Sequence, residues 1–196
     1  MMIWSIGCPA PRKNESARWN FYVVNIMEIQ QDFKDLLELL NKNKADYLIV
    51  GGYALAFHGA PRFTGDIDIF IRPDPENAKK VLQSLNEFGF QFPNLNLEDF
   101  YTPEQVVQLG VPPVRIDLLT SISGVTWSEA NASKIPGEYG NIDVNYIGKN
   151  ELVQNKQATA RKKDLADLEA LGEIDTWSTP HLAEQGAQVE PDNPLW

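Results

Sequence analysis

In Gly65-Asp66-Ile67-Asp68-Ile69-Phe70-Ile71 the residues from Asp66 to Ile71 alternate as a β-strand does, yet they include two carboxylates of a kind that strand interiors rarely hold. With a period of two, Asp66 and Asp68 point to one face of the strand, and Ile67 and Ile69 to the other. Their Cα atoms then lie roughly 6.5–7 Å apart, within reach of one ion or a pair of ions. Val114-Arg115-Ile116-Asp117-Leu118-Leu119 repeats the oddity with a lone acid in an apolar strand. Three carboxylates brought together repel one another and take up protons unless a cation sits between them. Hard oxygen donors select Mg²⁺ or Mn²⁺ rather than zinc, and the spacing does not fit an EF-hand, whose loop ends in Glu. The bland alternative places Asp66 and Asp68 on a solvent-facing strand surface and pairs Asp117 with an arginine. Each strand taken alone favours that alternative.

The balance changes about 15 residues upstream, at Leu48-Ile49-Val50-Gly51-Gly52-Tyr53-Ala54. A buried strand, Asp46 to Val50, runs into two glycines and a short helix, Tyr53 to His58. Glycine lets the backbone approach a phosphate, and a helix start offers free N–H groups. The pattern is neither a Walker loop nor GxGxxG, so its value lies in its distance from the acidic pair.

Further out, Glu28 to Asn43 carries Ile29, Phe33, Leu36, Leu37 and Leu40 on one helical face. Asp74-Pro75-Glu76 opens a helix that runs to about Phe88, with Asp74 as cap and Pro75 in the first turn. Thr102-Pro103-Glu104-Gln105 reads as another capped helix start. Asn141 to Tyr146 reads as a fourth strand, and two helices follow, Lys149 to Gln157 and Lys162 to Leu171. The order implies a mixed α/β (α+β) domain, a small mixed sheet flanked by helices.

The 196 residues suffice for one well-buried core, and the composition, 43% hydrophobic and 22% charged, is that of a globular protein with no membrane-length apolar run. One cysteine, Cys8, fits a reducing cytoplasm and excludes a multi-cysteine metal site. Residues 1–26 read as a disordered extension, 27–172 as the folded domain, and 173–196 as an acidic, disordered tail with five acidic residues and no Lys or Arg. The body from Met27 to Gly172 has 14 basic and 21 acidic residues, a poor balance for general nucleic-acid binding.

Together the glycine pair and Arg62-Phe63-Thr64-Gly65-Asp66-Ile67-Asp68-Ile69 closely resemble the signature of the DNA polymerase β-like nucleotidyltransferase superfamily. Asn155-Lys156-Gln157-Ala158, followed by Arg161 and Lys163-Asp164-Leu165-Ala166-Asp167, is similar to the C-terminal motif of small bacterial members, including those related to AbiEii-type toxins. The resemblance spans about Glu28 to Leu171, with Ala160 and Lys162 where Gly and Pro are expected. It implies the nucleotidyltransferase fold and an Mg²⁺- or Mn²⁺-dependent transfer of a nucleoside monophosphate from a nucleotide triphosphate. Asp66, Asp68 and Asp117 would be both catalytic and metal-binding. Gly51, Gly52, Arg62, Thr64, Lys156 and Lys163 would contact the nucleotide. The acceptor stays open among tRNA, protein and small molecule, and a toxin with an antitoxin partner is one branch. A catalytically silent nucleotide-binding module of the same fold is the alternative. His58, Phe100 and Trp127 read as structural, although an aromatic near the cleft could stack on a base.

Overall fold

The computed structural model describes residues 29–89, 95–111 and 114–173. The readings of residues 1–26, of Cys8 and of the tail beyond Glu173 lie outside them. In chain order the elements are α1 (Gln31–Lys42), β1 (Tyr47–Val50), α2 (Gly51–Phe57), β2 (Asp66–Ile71), α3 (Pro75–Phe88), a 3₁₀ turn (Leu97–Phe100), β3 (Val106–Val111), β4 (Val114–Leu119), α4 (Trp127–Ala132), β5 (Ile135–Tyr139), β6 (Ile142–Tyr146), α5 (Lys149–Thr159) and α6 (Lys162–Ala170).

One mixed sheet of six strands runs in the order β3-β4-β2-β1-β6-β5. At its centre β2 pairs antiparallel with β1 and parallel with β4. Ile67, Ile69, Ile116 and Leu118 are buried in the core, as alternation requires, which leaves the acidic face of β2 to the other side. The apolar stripe of α1 buries Phe33, Leu36, Leu37 and Leu40, and α1 packs against α3. Asp74 caps α3 by accepting from the N–H groups of Glu76 and Asn77 at 3.0 and 2.9 Å. The fully buried Asn77 ties this helix to the sheet, accepting from Asp46 N and donating to the carbonyls of Asp46 and Arg72.

The helix expected from Thr102 is not there. Glu104 adopts φ +62°, the N–H of Gln105 donates to Thr120 Oγ1, and the chain turns into β3, antiparallel to β4. The donors expected to be capped locally are met across the sheet, and β-branched Val106 and Val107 favour the strand. Two further elements, α4 and β5, are additions to the order read from sequence.

Ala160 closes α5 in the left-handed region at φ +47°, a conformation that costs an L-residue about 1–2 kcal/mol. Ala160→Gly is therefore expected to stabilise the protein by about 1 kcal/mol. Urea unfolding would check this, and an unchanged or lower midpoint would contradict it.

Candidate active site

The register of β2 and β4 sets Asp66 opposite Arg115 and Asp68 opposite Asp117. Strand alternation puts all four side chains on one face, where they line a cavity of about 450 Å³. Gly51, Gly52, Arg62, Thr64, Lys156 and Lys163 line the same cavity. Every site residue singled out in the sequence thus meets in one place, although their surroundings differ.

Asp68 lies against the glycine turn. Gly51 has φ +61°, and a Cβ added there would lie 1.9 Å from Asp68 Oδ2, so a side chain cannot be accommodated without moving the carboxylate. Gly52 donates its N–H to Asp68, but burial and the charges of Asp66 and Asp117 outweigh that bond and the pull of Lys163. The carboxyl is pushed up to about 6. Its neighbour Asp66 accepts from Thr64 Oγ1 at 2.5 Å.

Arg115 stands between the other two acids. Its guanidinium donates from Nη2 to Asp66 Oδ2 at 2.7 Å and forks onto Asp117 with two 2.9 Å bonds, from Nε and Nη2. The arginine partner weighed for Asp117 is therefore present, on its own strand. Sequence reasoning passed over Arg115, although its spacing of two from Asp117 is the signal that found Asp68.

Behind the acids, α5 and α6 carry a chain of paired charges. Lys156, only 3% exposed, places Nζ 2.5 Å from Asp167 Oδ2 and 3.4 Å from Asp164 Oδ1. Arg62 reaches Asp167 at 2.8 Å, and Arg161 reaches Asp164 at 2.6 Å. Asp164 is held below the usual carboxylate range: hydrogen bonds from Arg161 and Thr159 and the nearby Lys156 and Arg161 charges overcome its burial. Lys156 and Arg62 thus spend their charge on buried acids, whereas Lys163 is exposed with its charge near Asp68.

The other residues weighed are structural. His58 Nε2 is 2.8 Å from the carbonyl oxygen of Ile147, and burial lowers its pKa. Phe100 is fully buried, and Trp127 packs edge-on against Phe70.

As a donor set the three acids suit a hard cation: all oxygen, on adjacent strands, facing one cavity, with one carboxyl pushed up by burial and by the charges of the other two. As the side chains stand, however, no three His, Cys, Asp or Glu groups among the described residues close on a common point. The guanidinium of Arg115 neutralises two of the acids instead.

Asp68 also sets a pH dependence. Its folded pKa stands above the ordinary 3.8, so the native state binds the extra proton between about pH 4 and 6. Acidification through that window stabilises the metal-free fold by at most about 3 kcal/mol, and raising the pH through 6 loses that gain. His58, with its lowered pKa, acts in the opposite sense as the pH falls through its unfolded value. The difference between wild type and Asp68→Asn isolates the carboxyl. In EDTA the wild-type urea midpoint should rise from pH 7.5 to 5 relative to the variant; parallel curves would contradict this.

A mixed sheet with acids on adjacent strands beside a glycine turn is the arrangement that the resemblance to nucleotidyltransferases implies. The chain matches the family model described as Nucleotidyltransferase of unknown function (DUF6036) over residues 25–189, and it belongs to that family. It is a nucleotidyltransferase enzyme. Among solved structures it is similar to the lincosamide antibiotic adenylyltransferase LnuA in its lincomycin-bound form, at 16% identity and TM-score 0.50, over 74% of this chain and 98% of that one. The Thermotoga maritima protein TM1012 matches at 15% identity and TM-score 0.47, over 73% of this chain and 89% of that one. The likeness to LnuA shows the shared fold. No curated protein matches the chain. No helix among the described residues is long and apolar enough to cross a membrane.

Proposed function

We propose that this protein transfers a nucleoside monophosphate from a nucleotide triphosphate to a hydroxyl acceptor in a reducing cytoplasm, with Mg²⁺ or Mn²⁺ held by Asp66, Asp68 and Asp117. The observation that carries this reading is the placement of these acids, two of them cross-strand partners, in the cavity that the glycine turn also lines. The acceptor oxygen attacks the α-phosphorus, the bond from that phosphorus to the α–β bridging oxygen breaks, and pyrophosphate leaves. Bound metal would supply the positive charge that such a displacement develops a need for. Asp117 takes the acceptor's proton, Gly51 and Gly52 let phosphate oxygens approach the backbone, and Lys163 adds positive charge at the rim. Thr64 orients Asp66. Lys156 and Arg62 act as positioning residues that hold α5 and α6 against the site through Asp164 and Asp167.

The net charge of the body disfavours tRNA as acceptor and favours a small molecule or a protein. Incubation with each α-labelled nucleotide, Mg²⁺ or Mn²⁺ and a cell extract tests the proposal. A labelled product that requires metal is expected, and intact nucleotide under every condition would count against it.

A second reading, a silent nucleotide-binding regulatory module of the same fold, draws on one observation. All four carboxylate oxygens of Asp66 and Asp117 are engaged by Arg115 and Thr64. Metal-dependent nucleotide binding without pyrophosphate release, across a broad acceptor screen, would favour it. A toxin role, with an antitoxin partner as in the AbiEii-related branch, would require that expression slow growth and that Asp66→Ala/Asp68→Ala relieve it.

A further inference from the structure

Arg115 and Asp117 are two apart on β4, and Asp66 is the cross-strand partner of Arg115, so the strand register sets the three side chains side by side on one face. Its fork binds Asp117 through both carboxylate oxygens, and Nη2 reaches Asp66 as well. With Thr64 on the remaining Asp66 oxygen, the strongest acceptor positions of two of the three acids are taken. A Mg²⁺ or Mn²⁺ ion needs such oxygens at about 2.0–2.2 Å, and a guanidinium left on the same two carboxylates would hold a like charge within a few ångströms of it.

We propose, resting on the metal-binding reading above, that Arg115 is the resident counter-cation of the acid cluster and that divalent metal enters by exchange for it. Arg115 swings from Asp66 and Asp117 into the cavity, where its charge meets the triphosphate that arrives with the metal. Metal and nucleotide therefore bind cooperatively: metal alone displaces an arginine that loses its two acids and gains only water, whereas metal with nucleotide offers it a new anion. Arg115 has the freedom for this, since its side chain is 29% exposed at the cavity wall. Its role is distinct from that of the acids it covers.

The test measures Mn²⁺ binding by the loss of the free-ion paramagnetic resonance signal, without and with a non-hydrolysable nucleotide triphosphate, counting only the loss beyond that caused by nucleotide alone. Wild type and Arg115→Gln would be compared, with melting in EDTA recorded for both. Removing the guanidinium is expected to tighten Mn²⁺ binding without nucleotide by about tenfold or more, as expected for unpaired like charges. It should also shrink the gain that nucleotide brings and lower the melting temperature in EDTA. Equal or weaker Mn²⁺ binding in the variant would overturn the exchange while leaving the metal site standing. Should neither protein bind Mn²⁺ even with nucleotide, the metal-dependent reading fails and the exchange with it. If Arg115→Gln does not fold, Arg115→Lys, which keeps the charge but not the fork, is read by the same criteria with a smaller expected shift.

Discussion

Asp68→Asn is expected to lower the rate of nucleotidyl transfer by about 10²–10³-fold or more, which corresponds to about 3–4 kcal/mol of lost transition-state stabilisation. The size follows from the position of the carboxylate. Asp68 lies beside Gly51, shares the cavity with Asp66 and Asp117, and is paired across the strands with Asp117. Asn keeps the shape and one oxygen but removes the charge that would balance a metal ion. It also removes the cost of burying a charged carboxylate and its repulsion by Asp66 and Asp117, so the variant should fold at least as well as wild type at pH 7.5. A steep loss of transfer in a fully folded protein is the signature of a working acid. Transfer at the wild-type rate would remove Asp68 from the chemistry, and loss of transfer through unfolding would show in a lowered urea midpoint.

Lys156→Met should act in the opposite way, on stability first. Its ammonium is buried between Asp164 and Asp167, themselves almost inaccessible to water. Methionine fills a similar volume but leaves the two acids with Arg161 and Arg62 as their remaining cationic partners and Thr159 on Asp164. Removing one partner of a buried ion pair costs about 3–5 kcal/mol, a large part of the 5–15 kcal/mol that a domain of this size typically has. Urea unfolding of Lys156→Met should show that loss. Lys163→Met is the natural comparison: Lys163 is exposed, so its replacement should change stability by no more than about 0.5 kcal/mol while weakening nucleotide binding. A stability loss below 1 kcal/mol for Lys156→Met would mean that the network does not hold the two helices as described.

These two lysines show what a sequence can and cannot display. Both appear as cations beside a phosphate-binding pattern, and nothing in their spacing separates them. Only the folding of α5 against α6, which turns Asp164 and Asp167 toward Lys156, makes one a buried strut and leaves the other free at the rim. Where periodicity is strong the reading is close. β2 and β4 have the bounds that alternation gave them, and α3 begins at its Asp-Pro cap and ends at Phe88.

Where local signals compete with pairing across the sheet, the reading goes astray. Thr102-Pro103-Glu104-Gln105 has the letters of a capped helix, but Thr120 on the neighbouring chain segment accepts from Gln105 N–H and pulls the segment into a strand. The edge strand β5 contains Pro136 and Gly137, which disguise it. By contrast α4 did leave a signal: Thr126 and Glu129 form a capping box, and the spacing is visible in the sequence. Arg115 was equally visible, two residues from an acid already singled out, but its importance depends on the parallel register that brings Asp66 opposite it.

Under the proposed function the acids on β2 and β4 bind nucleotide through a divalent cation. Calorimetry of a nucleotide triphosphate with wild type and with Asp66→Asn/Asp68→Asn, each in Mg²⁺ and in EDTA, tests it most directly. The expected result is binding by wild type that disappears in EDTA and is lost in the double variant under both conditions. Binding of equal strength in EDTA, or by the double variant in Mg²⁺, would contradict it.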